Sequence, residues 1–104
     1  MKKVGVCLAT ALGITFMAAS ANAGELLAKP ELLASNCFNC HGYNGASAGV
    51  IDELDSLPAR RITKKMNDFK SGKKPSTIMG RIAKGYNDAE IAALAKYFGE
   101  MGNR

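Results

Sequence analysis

Two cysteines three positions apart, Cys37 and Cys40, with the chain's only histidine, His41, directly after them, constrain this sequence more than any other feature. On a helical turn, residues at i, i+3 and i+4 share one side. Cys37-Phe38-Asn39-Cys40-His41 can therefore hold one edge of a flat macrocycle through two sulfurs and offer an imidazole to a metal at its centre. This is C-x-x-C-H, the pattern of covalent haem attachment, in which each thiol adds to one vinyl group of the haem. Two other chemistries use such a cysteine pair. A structural zinc site needs four ligands, whereas two cysteines and one histidine are all that follow Gly24. A thioredoxin-like redox pair belongs in a βαβ context, and no strand pattern is present.

The N-terminus reads as an export signal. Lys2 and Lys3 form a positive start, an uncharged stretch from Val4 carries Leu8, Leu12, Ile14 and Phe16, and Ala21-Asn22-Ala23 is a small-residue cleavage pattern. Residues 1–23 are expected to be a cleaved signal peptide and residues 24–104 a monohaem domain working in the periplasm. An uncleaved anchor is disfavoured because the apolar part is short of the roughly 20 residues of a membrane span. Cys7 precedes the apolar core, too early to become an acylated first residue. No stable membrane insertion is expected.

From Gly24 the chain has 81 residues, near the size at which a protein core alone is marginally stable, so a staple is needed. Cys37 and Cys40 are too close together to serve as a disulfide framework. A shared haem would supply the missing core, and without it the chain should be largely unfolded.

The same stretch carries twelve basic and nine acidic residues, formally +3. Arg60, Arg61, Lys64, Lys65, Lys70, Lys73, Lys74, Arg81 and Lys84 fall within 25 positions that contain a single acid, Asp68. A solvated helix face and a surface for an acidic protein partner explain this equally well. Nucleic acid is disfavoured for an exported protein whose basic stretch holds a single aromatic residue, Phe69.

Every apolar run after Gly24 has helical spacing, so the fold class is all-α, with three to four short helices packed around one covalently attached haem. A first helix starts near Pro30, carries Leu32 and Leu33 and runs toward Cys37. Gly42, Asn44, Gly45 and Gly49 mark an irregular segment. A second helix follows Leu57-Pro58, buries Ile62, Met66 and Phe69, and ends at Gly72. A short third spans Thr77 to Lys84, with Ser76 as N-cap and Gly85 as stop. The last is capped by Asn87 with Glu90 reaching back, and Ile91, Leu94, Phe98 and Met101 form its apolar stripe.

With no second histidine, the other axial iron ligand is expected to be a methionine, from Met66, Met79 and Met101. Met66 and Met101 continue apolar stripes and read as core filler. Met79 follows the Pro75-Ser76-Thr77 loop, 38 positions after His41, far enough for the chain to cross the haem. His41 and Met79 are thus the expected iron ligands, and Cys37 and Cys40 the covalent attachment points. His41 should donate its second ring hydrogen to a backbone carbonyl, with Gly49-Val50 as the candidate segment.

These residues resemble the class I cytochromes c. The run Phe69-Lys70-Ser71-Gly72 and Pro75 through Tyr86, with Met79 in the ligand place, is more narrowly similar to the cytochrome subunit of flavocytochrome c sulfide dehydrogenases. Val50 stands where members often have a proline. The resemblance implies a class I cytochrome c fold and an FAD-containing flavoprotein partner that oxidises sulfide. The haem would accept electrons from it singly and pass them to an acceptor cytochrome. No catalysis is expected of this chain alone. A free periplasmic electron shuttle is the alternative, and an enzyme or gas sensor would require an open iron position.

Overall fold

A computed structural model of the chain describes residues 28–103, so the signal-peptide reading of residues 1–23 lies outside the described residues. The described part is helical: α1 (Pro30–His41), a 3-10 turn (Tyr43–Gly45), α2 (Ala59–Lys70), α3 (Met79–Ala83) and α4 (Asp88–Met101). Among the described residues there is no strand, and no helix is long and apolar enough to cross a membrane.

Local sequence chemistry sets most of these boundaries. Pro30 opens α1, where its missing N–H is no loss. The α4 capping box is complete: Asn87 Oδ1 accepts from the Glu90 amide at 2.9 Å, and a Glu90 carboxylate oxygen accepts from the Asn87 amide at 3.0 Å. That exchange explains how Glu90 can be buried. After α2 the chain reverses at Gly72, whose φ of +78° is cheap only for glycine. The third helix is shorter than its apolar pattern predicts. Thr77 and Ile78 lie outside it, and Ser76 acts from four positions upstream by accepting the Gly80 amide.

Helix α4 is the spine, packing against both α1 and α2, while α3 leans on α2. Ile91, Leu94, Ala95 and Phe98 from α4 meet Leu33 and Ala34 of α1, Ile62 and Met66 of α2, and Ala83 of α3 in one core. Phe38 meets Phe98 edge-on at 6.3 Å between ring centroids, and Tyr97 meets Phe98 at 5.2 Å. Tyr97 also donates its hydroxyl to Asn44 Oδ1 at 3.0 Å, tying α4 to the 3-10 turn.

Three apolar residues singled out in the sequence lie outside the buried core, two of them, Met101 and Phe69, against expectation. Leu32 is exposed, because the buried side of α1 is Leu33 and Ala34, about 100° away for each residue step. Met101 is only half-buried and outside the core. Phe69 is half-buried and lines a cavity instead of filling the core.

Candidate haem site

Between α1, α2, α3 and α4 lies a cavity of about 370 Å³, within the roughly 300–1,000 Å³ of small-molecule and cofactor sites. Cys37, Cys40 and His41, from the last turns of α1, form one wall. Ile62, Met66 and Phe69 come from α2, and Ile78, Met79 and Ile82 from the α3 segment. Leu94 and Phe98 contribute from α4, and Val50, Ile51, Leu54 and Leu57 from the loop before α2. All the sequence-predicted site residues, Cys37, Cys40, His41 and Met79, therefore line one space. The lining is chiefly aliphatic, aromatic and thioether, which suits the insertion of a flat apolar group.

The attachment pair is graded in depth: Cys37 is half-buried and Cys40 exposed, and both are free thiols. Burial, and secondarily the neighbouring Cys40, pushes the Cys37 thiol up to about 11. Such a thiol is neutral at physiological pH, the reverse of the lowered value of a dithiol redox catalyst. Its place near the C-terminal end of α1 acts in the same direction, because the helix dipole there disfavours a thiolate. For zinc, too, the donor set does not fit. Among the described residues no group of three or more His, Cys, Asp and Glu side chains could hold a metal ion.

His41 is held by the protein backbone. Its Nδ1 lies 2.5 Å from the carbonyl oxygen of Asp52. A carbonyl can only accept, so Nδ1 carries the proton, and in the neutral ring Nε2 keeps a lone pair for a metal. The supporting carbonyl is therefore that of Asp52 and not one from Gly49-Val50 as the sequence reading expected. The loop returns to α1 only beyond Val50. Leu54 N donates to Gly45 O at 2.8 Å, and the Asp52 carboxylate pairs with Lys65 of α2 at 3.3 Å. Val50 is fully exposed at the cavity mouth, and the carbonyl that supports His41 lies two residues further on.

Two of the three candidate methionines reach the cavity. Met66 lines it from the buried core face of α2, and Met79, half-buried, lines it as the first residue of α3; Met101 is not in the lining. Tyr86 and Lys65 also line the space, which the sequence reading did not anticipate. Burial raises the Tyr86 phenol above its ordinary value, against a hydrogen bond with Asn36 that lowers it.

The basic stretch divides into two groups. Lys64 pairs with Asp68, Lys65 with Asp52 and Lys70 with Asp88, while Lys74 lies 5.3 Å from the Phe69 ring centroid. Arg60, Arg61, Lys73, Arg81 and Lys84 are exposed and make no salt bridge among the described residues.

Comparison with known proteins agrees with this arrangement. The family model for cytochrome c matches residues 30–101. The cytochrome subunit of sulfide dehydrogenase from Chlorobaculum tepidum is 40% identical over 74 residues, covering 71% of this chain and 67% of that protein. The thiosulfate dehydrogenase electron acceptor of Thiomonas intermedia is 32% identical over 86% of this chain, which spans only 41% of its length. Cytochrome c-553 of Nitratidesulfovibrio vulgaris is 28% identical, covering 94% of this chain and 93% of that protein. Its fold, the cavity and this match over most of its length place the chain in the cytochrome c family, as an electron-transfer haem protein related to the cytochrome subunit of sulfide dehydrogenase.

Proposed function

We propose that residues 24–104 form a periplasmic monohaem electron carrier, exported by a cleaved signal peptide. It accepts single electrons from an FAD-containing flavoprotein of the sulfide dehydrogenase type and passes them to an acceptor cytochrome. In this reading Cys37 and Cys40 would hold a haem through thioether bonds, and His41 and Met79 would ligate its iron. The observation that carries it is the convergence of these four side chains on one apolar cavity. The 40% identity to a sulfide dehydrogenase cytochrome subunit supports the partner.

Each residue has a separate task. Each thiol would add across a vinyl group, sulfur to one carbon and the thiol hydrogen to the other, with no external oxidant needed. His41, oriented by the Asp52 carbonyl, presents Nε2 as a ligand with a fixed ring plane. The apolar lining keeps water from the site, which limits reorganisation on electron transfer. When bound, the haem supplies a one-electron couple, whose potential a thioether ligand raises relative to a second imidazole. With His41 and Met79 both on the iron, no place would be left for oxygen or substrate.

The experiment is purification of the native protein followed by addition of sulfide. A co-purifying flavin protein and haem reduction on sulfide addition are expected. A lone protein unresponsive to sulfide would instead support a free electron shuttle, the reading favoured by the near full-length match to a cytochrome c-553.

A further inference from the structure

Met79 opens a helix of five residues, far too short to hold its own shape in water. Its first-turn amides can be followed individually. Arg81 N and Ile82 N both donate to Ile78 O, at 2.9 and 3.1 Å. Gly80 N instead donates to the Ser76 hydroxyl at 2.7 Å. Ile78 occupies the N-cap position and has no side-chain oxygen to offer, so Ser76 supplies the cap from outside the helix.

Packing does little to replace that bond. Residues 71–76 are all exposed and lie outside the cavity lining, and Ala83 is the buried anchor of α3. The residue after Met79 is also shaped for the contact. A Cβ at Gly80 would lie 3.2 Å from Ser76 Oγ and 3.6 Å from the Phe69 carbonyl oxygen, so a side chain there would crowd the hydroxyl.

We infer that Ser76 is a positioning residue for the Met79 sulfur: by holding the Gly80 amide it fixes the first turn of α3 and so the position from which Met79 enters the cavity. Loss of the hydroxyl raises the fraction of molecules in which the sulfur has left the iron. An external ligand competing for that position binds with an apparent affinity scaled by this open fraction. The inference rests on Met79 being an axial ligand.

The test titrates the ferric holoprotein with imidazole while following the absorption band of the sulfur–iron bond. Ser76→Ala is compared with Ser76→Thr, which keeps a hydroxyl, and with Ser35→Ala. The last removes another exposed side-chain bond, from Ser35 Oγ to Leu32 O at 2.7 Å, remote from Met79 in sequence. The expected result is an apparent imidazole affinity about three- to tenfold higher in Ser76→Ala, restored in Ser76→Thr and unchanged in Ser35→Ala. Equal affinities in Ser76→Ala and the wild type, with the band present in both, would overturn the role of Ser76 and leave Met79 in place. A wild-type protein without the band would overturn the Met79 assignment and this inference with it.

Discussion

The His41 imidazole donates through Nδ1 to the carbonyl oxygen of Asp52, eleven residues downstream, at 2.5 Å. The bond joins the end of α1 to a loop with no regular structure of its own, so it depends on whatever holds that loop. Gly45 does much of this. Its carbonyl accepts from both Leu54 N and Asp55 N, at 2.8 and 3.4 Å.

Gly45 has a φ of +82°, and a Cβ there would lie 2.9 Å from both Leu54 Cβ and Phe98 Cδ1. Gly45→Ala is expected to destabilise the holoprotein by about 2–4 kcal/mol, combining backbone strain with overpacking. Denaturant unfolding measures it. A change below about 0.5 kcal/mol would mean that the loop is held elsewhere.

Methionine substitutions separate ligand from packing. Met79→Leu should retain the haem but open an axial position, so that carbon monoxide binds readily to the reduced protein. Met66→Leu conserves volume and should cost less than about 1.5 kcal/mol, with no carbon monoxide binding. The opposite pattern would move the sulfur ligand to Met66, which also lines the cavity.

The exposed cations without salt bridges give a kinetic expectation. Reversing Lys73 and Lys84 to Glu should slow reaction with an acidic redox partner by about tenfold or more at low salt, with the difference fading as ionic strength rises. Stopped-flow rates against salt measure this. Identical rates for wild type and variant at low salt would assign these residues to solvation alone. Lys64→Gln, which removes a cation paired with Asp68, should have a much smaller effect.

Tyr86 provides a pH signature. Burial raises its phenol above the ordinary value of 10.0, so the folded state resists ionisation more than the unfolded chain does. Its contribution is complete below pH 10 and is lost as pH rises through the folded-state value. The stability of the wild type should therefore fall more steeply above pH 10 than that of Tyr86→Phe. Parallel thermal-melting curves from pH 9 to 11 would contradict this.

The parts of the fold that were legible in the sequence are those governed by neighbours. Asn87 and Glu90 are three positions apart and cap each other, Gly72 follows α2 directly, and Cys37, Cys40 and His41 share one side of α1 through helical pitch alone. Asp52 was not legible, because its place depends on Lys65, thirteen residues away, and on Gly45, neither at a spacing that marks a regular element. Met101 continues the α4 stripe, yet it lies half-buried outside the core, and spacing alone does not show where a stripe loses its partner. Ser76 reads as a cap from its residue type and does cap the Gly80 amide, but apolar periodicity alone starts α3 two residues too early. Rim and floor of the cavity are a tertiary product, so no spacing in the sequence marks Tyr86 or Lys65 as part of its lining.

One measurement bears most directly on the central claim: the intact mass of the protein purified from its native source, before and after acidic organic extraction of non-covalent haem. The expected species begins at Gly24, carries the mass of one haem and keeps it through extraction, with both Cys37 and Cys40 modified in the corresponding peptide. A protein that loses its haem on extraction, or that has unmodified thiols at both cysteines, would contradict covalent attachment at this site.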